Sequence, residues 1–434
     1  MNSLKTVFKR GFQTLNSNLS YKSLFLKPNY TCITYAMYNK KLVANPKSVE
    51  EKSKELLSRL DKTDPKEIIN FLRYSQEKGY WTTDLTEKSE ARIRENLDLL
   101  SDFDLSMLAW VYGNGRSGSS ELWTRLEREA LHRIADRSLA RVNFGRLITG
   151  FGEGNRGSET FWDRVQHVVA EALDDFNAEA IAYITNGLGK AIANGQQAQK
   201  LAIEGLKHGI LRNFMDFSKT DLILTLQGLA DLGIEDNKIW NTLANSFVSE
   251  IQNINPELLV TGLESFARAD KGSVKTWREI LQVAQNQLIT FTPSQLATTG
   301  WAAAKIQYTD KGFWYVFTRM ASSQLAKSEP KDVVKILFAA NAAEIGNEAF
   351  IKEVFNAINN LKALQKLDAQ GFSHLLWTLE KNSNLSRDQL NEINRLILEK
   401  RNSWNKRECE EFLLTLNGTQ ILSNDVRKAI ESSI

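Results

Sequence analysis

The sequence predicts an all-α fold: an α-solenoid of about nine helix-turn-helix repeats of 37–39 residues plus a closing helical pair. Three observations predict it. Residues 108–126, LAWVYGNGRSGSSELWTRL, return 39 positions later as residues 147–165, LITGFGEGNRGSETFWDRV. Stepping from Trp123 and Trp162, the same phase falls on Leu201, Trp240, Trp277, Trp314, Ile351 and Leu390. Pro256, Pro293 and Pro330 stand 37 residues apart, in step with the tryptophans. A period of this length marks stacked units, each too small to bury its apolar face alone.

Residues 1–45 read as a mitochondrial presequence. Leu4, Val7, Phe8, Phe12 and Leu15 share one helical face, Lys5, Lys9 and Arg10 lie beside it, and acids are absent. A polar lead-in at 46–63 follows. The solenoid is expected over 64–404, in units 64–100, 101–139, 140–178, 179–217, 218–254, 255–291, 292–328, 329–367 and 368–404. Residues 405–434 would form C-terminal capping helices. Pro65 and the three periodic prolines suit the first helical position, where no N–H is needed. Asp64, Asn255 and Thr292 precede prolines as N-caps, with Ser101, Ser218 and Asp368 in the equivalent places. Asp64–Glu67 and Thr292–Gln295 have capping-box spacing. Thirteen residues ahead of the tryptophan phase stand apolar anchors, among them Trp110, Leu188, Trp301, Phe338 and Trp377. Large side chains at fixed phase predict seams between units, each buried ring contributing ~2–3 kcal/mol.

Composition narrows the function classes. The chain has 434 residues, 42 % hydrophobic and 25 % charged, and no apolar run long enough to span a membrane. The formal charge of +3 conceals an uneven distribution. Residues 1–49 carry eight Lys/Arg and no acid, which leaves 47 basic against 52 acidic residues in the remainder. A nucleic-acid partner would therefore need a local basic stripe. Cys32 and Cys409 offer no disulfide or metal framework, and His132, His167, His208 and His374 have no metal-ligand spacing. No metal, cofactor or small-molecule substrate is expected.

Two GxGxxG strings, Gly113–Gly118 and Gly152–Gly157, follow helices instead of strands, which speaks against a dinucleotide fold. Their glycines read as helix C-caps and turns needing positive φ. Ser119 or Ser120, and Ser158, would cap the next helix, whose free amides and partial positive charge attract anions. Arg116 and Arg156 sit in those turns as candidate phosphate contacts. Lys190, Arg268, Lys305 and Lys381 recur near the ends of first helices and would form a basic stripe, interrupted by Glu153 and Asp231. No G-x-S-x-G, Walker loop or kinase signature occurs, so no catalytic residue is assigned.

The units LSMLAWVYGNG (105–115), QLATTGWAAAKIQYTDKGFW (295–314) and FSHLLWTLEKNSNLSRDQL (372–390) resemble the helical repeats of organellar RNA-binding proteins. The likeness is to octotricopeptide and heptatricopeptide repeats and to the FAST-kinase-like repeat region, over about 64–404. It implies a non-enzymatic protein of the mitochondrial matrix that binds single-stranded RNA along its first helices, in RNA metabolism or at the mitochondrial ribosome. Two features depart from the pattern: no RAP domain is evident near the C-terminus, and the body is net acidic. The acidic body suits the alternative, a scaffold or accessory subunit of a mitochondrial complex, respiratory or ATP synthase, with no RNA ligand.

Overall fold

A computed structural model describes residues 46–432 except 137–138, 173–174, 345–347, 359–360, 383–386, 405, 418 and 420; the predicted presequence lies outside the described residues. All regular elements among these residues are helical, with 22 α-helices in total. They divide into two compact bodies, the first ending at Thr276 and the second starting at Trp277.

The first body holds α1 (Pro46–Ser58), α2 (Pro65–Glu77), α3 (Thr83–Arg94), α4 (Asp102–Asn114), α5 (Ser120–Ala135) and α6 (Arg141–Glu153). It continues with α7 (Glu159–Glu171), α8 (Ala178–Ala193), α9 (Lys200–Asn213), α10 (Lys219–Leu232), α11 (Asn237–Glu250) and α12 (Pro256–Ala269). Even-numbered helices pack on one another in one row, odd-numbered helices in a second. This is the two-layer stacking of an α-solenoid. The polar lead-in belongs to it, since α1 buries Val49 and Leu56 and packs on α3 in the second row.

The second body contains most of α13 (Val274–Gln287), then α14 (Pro293–Lys305), α15 (Lys311–Gln324), α16 (Pro330–Ala342), α17 (Glu348–Ile358) and a short α18 (Leu361–Leu364). After these come α19 (Ala369–Asn382), α20 (Arg387–Lys400), α21 (Lys406–Thr415) and α22 (Asn424–Glu431). Here α14, α16, α19 and α21 stack in sequence, while α15 packs on α17 and α20 on α22.

Capping chemistry sets the helix starts. Pro65, Pro256, Pro293 and Pro330 all open their helices. Asp64, Ser101, Asn255 and Thr292 accept hydrogen bonds from first-turn amides. The Thr292–Gln295 box closes in both directions, and so does Ser218–Asp221. Asp64–Glu67 does not close, because Glu67 is held 2.9 Å from Arg59 instead.

The first-row helices are buried on nearly every face, which leaves no room for side chains where they cross. Gly113 and Gly152 are therefore not caps. They lie inside α4 and α6, where an added Cβ would stand 2.0 Å from the Gly150 carbonyl oxygen and 2.4 Å from that of Gly187. Gly115 and Gly154 are the C-caps, with ordinary negative φ. Positive φ is confined to Arg116, Asn155, Gly118 and Gly157 in these two turns.

The repeated tryptophan ties each turn to the next unit. Trp123, Trp162, Trp240 and Trp314 each donate their indole N–H to the carbonyl six residues back, on Ser117, Arg156, Ile234 and Tyr308, at 2.6–3.0 Å. Their rings fill the seam, with Trp123 5.1 Å from Phe151 and Trp240 5.5 Å from Phe266. Two phases differ from the sequence expectation. Leu201 is 76 % exposed, and Ile203 takes the tryptophan position of α9, four residues beyond its cap Gln199. Asn186, not Leu188, takes the anchor position of α8. The cause is extra chain at this turn: nine positions separate Lys190 from Gln199, where five separate Glu153 from Ser158. The added residues continue α8 by about one turn.

Candidate nucleic-acid interface

Counting from the N-caps aligns the first-row helices. Thirteen residues after Ser101, Ala140, Asn177, Ser218 and Asn255 stand Asn114, Glu153, Lys190, Asp231 and Arg268. Lys190 is thus in phase with the others. In the second body the same count from Thr292, Glu329 and Asp368 gives Lys305, Ala342 and Lys381.

In the first body the row is an ionic ladder. The Lys190 ammonium lies 3.6 Å from Glu153 and 3.5 Å from Asp231, and Asp231 pairs with Arg268. The four side chains are between 2 and 10 % exposed. Burial opposes ionisation of Asp231, but the charges and hydrogen bonds of Arg268 and Lys190 outweigh it and hold its pKa below the usual value. For Glu153 burial dominates, and its pKa is raised despite Lys190 and Arg116. The acids expected to interrupt a cationic stripe are the partners of its cations. A phosphate reaching Lys190 or Arg268 would have to displace a carboxylate already in place.

The turns show the same economy. Ser119 and Ser158 cap α5 and α7, accepting from Leu122 and Phe161. Their own amides donate to glutamates of the preceding second-row helix: Ser119 to Glu90 at 2.9 Å and Ser158 to Glu127 at 3.1 Å. Both serine hydroxyls bond to those same carboxylates. At the next turn Gln166 accepts from the Gln199 amide at 2.7 Å. A carboxylate therefore occupies the place proposed for phosphate. Arg116 is exposed with φ of 44°, and Arg156 lies 5.9 Å over the Trp123 ring.

The second body differs. Six, nine and thirteen residues after its caps stand Thr298, Lys335 and His374; Trp301, Phe338 and Trp377; and Lys305, Ala342 and Lys381. None of these nine positions is acidic. The ammonium groups of Lys305 and Lys335 both lie over the Trp301 ring, at 5.8 and 5.9 Å. Phe338 stacks on His374 at 4.5 Å and meets Trp377 at 5.1 Å. Burial, with a smaller push from Lys335, lowers the His374 pKa to about 3 and keeps the imidazole neutral. Trp301, Phe338 and His374 are buried, whereas Lys305, Lys335 and Trp377 are partly exposed. Lys381 lies on α19, with its side chain outside the described residues.

No protein-family model matches this chain, and none of the curated proteins compared with it matches. The arrangement of its own residues therefore carries the functional reading. Lys335 and His374 were not singled out from the sequence; their signal is their place three residues ahead of Phe338 and Trp377. Among the described residues no group of three His, Cys, Asp or Glu is placed to hold a metal ion, and no helix is long and apolar enough to cross a membrane.

Proposed function

We propose that the protein is a non-enzymatic helical-repeat protein that holds single-stranded RNA, in mitochondrial RNA metabolism or at the mitochondrial ribosome. The observation that carries this reading is the pair Lys305 and Lys335 of the second body, whose ammonium groups both lie over the Trp301 ring, at phase positions none of which is acidic. Cations beside π faces are the chemistry of single-strand binding: phosphates release counterions, and bases stack on rings. The basic, acid-free composition of residues 1–45 supports mitochondrial targeting. A mobility-shift titration of the full chain against mixed-sequence single-stranded RNA tests the reading. Binding that weakens with salt is expected; no shift at low salt overturns it. Residues 1–45 fused to a fluorescent protein should reach mitochondria, and diffuse cytosolic signal refutes targeting.

One observation favours a second reading. The first-body ladder neutralises itself, so that body suits a protein partner better than a polyanion. A scaffold or accessory subunit of a mitochondrial complex would co-purify with its protein partners after nuclease treatment.

A further inference from the structure

We infer that RNA is engaged at one local place in the second body, with a single base stacked on Trp377 and the adjoining phosphates held by Lys305 and Lys335. This inference rests on the RNA reading above and adds where and how the strand is held.

Trp377 is the one ring of the three anchors Trp301, Phe338 and Trp377 that is partly exposed. It is backed by Phe338 at 5.1 Å, which is itself stacked on His374 at 4.5 Å. The platform is thus set before a base arrives, and little ordering remains to be done on binding. Both lysines are poised over Trp301 in the two preceding first-row helices, α14 and α16, so their charge is gathered at one spot. A base has a π face whatever its identity, so such a site tolerates sequence and selects single strands over duplexes, whose bases are already stacked.

The first body does not bring these parts together: the one ring at its anchor positions, Trp110 of α4, is buried at 5 % exposure. Its anchor positions in α6, α8 and α10 are Thr149, Asn186 and Gln227, which have no ring. Its row of cations is consumed by Glu153 and Asp231. Arg146 is held between the Phe103 and Tyr183 rings at 5.4 and 5.7 Å, with Glu179 3.9 Å away.

The test is fluorescence anisotropy of a labelled short oligouridylate titrated with the full chain over a range of salt. Trp377→Ala should weaken binding about 5- to 150-fold, the range expected for one stacked base. Trp377→Phe keeps a π face and should retain most of the affinity, which guards against misfolding of the alanine variant. Lys305→Gln with Lys335→Gln should lower affinity and flatten the slope of log K against log salt by about 1.4, two single-strand phosphates' worth. Arg116→Gln and Arg156→Gln, in the first body, should bind as the wild type does. If the wild type binds and the second-body variants bind equally well, the location is wrong while the RNA reading stands. If the wild type fails to bind at about 50 mM salt, both are overturned.

Discussion

Replacing Asp231 by alanine removes the central carboxylate of the ladder, the one that faces both Lys190 and Arg268. Lys190 would lose the carboxylate 3.5 Å away, and Arg268 would lose the Asp231 carboxylate inside a seam where its side chain is 2 % exposed. Removing one member of a buried pair costs about 3–5 kcal/mol, because the remaining charge keeps its desolvation penalty. Chemical denaturation followed by circular dichroism should therefore show Asp231→Ala destabilised on that scale. Replacing all four ladder residues together by apolar side chains of similar volume should be far milder, near neutral or stabilising. The pH dependence carries a sign as well. The Asp231 pKa is lowered on folding, so its contribution is full above about pH 4, its ordinary range, and is lost as pH falls. Glu153 has the opposite sign: its pKa is raised, so its ionisation costs stability as pH climbs through the interval above the ordinary value. Glu153→Gln should remove that loss. A loss below about 1 kcal/mol for Asp231→Ala, or one equal to that of the fourfold apolar variant, would refute a buried interdependent ladder.

Trp240→Phe keeps a ring in the seam but deletes the 2.7 Å bond to the Ile234 carbonyl, so it should cost about 1 kcal/mol beyond the change in ring size. Equal melting temperatures for the two proteins would remove the indole N–H from the argument. His374 binds its proton only near pH 3 in the folded chain, against an ordinary 6.5, so stability should fall by about 1.4 kcal/mol per pH unit as pH drops through that interval. His374→Phe should flatten this part of the acid limb, and an imidazole NMR signal that titrates near pH 6.5 in the native protein would contradict the assignment.

Much of this architecture is legible in the sequence because it is written in local chemistry. A proline after Asn255 or Thr292 marks a helix start through bonds made within one turn. Trp123 and Trp240 repeat because each satisfies its own turn and the following seam. What escaped depends on neighbours in space. Glu153 and Asp231 look like interruptions along the chain, yet adjacent helices set them beside Lys190. The prolonged end of α8 shifts the count by two residues, which makes Leu188 and Leu201 resemble phase positions. Gly113 and Gly152 occupy helix ends in sequence, but the reason for them is a neighbouring backbone too near for any Cβ.

The amides of Ser119, Ser158 and Gln199, each at the start of the second helix of its unit, donate to Glu90, Glu127 and Gln166 of the unit before. These bonds give this stretch a polarity that symmetric apolar seams alone would lack. Trimming from the amino end uncovers a donor that the lost unit had satisfied, whereas trimming from the carboxyl end merely releases an acceptor to water. A unit duplicated or transplanted here would fit only if its predecessor supplied the acceptor it needs, so such arrays are extended more readily in one direction than in the other.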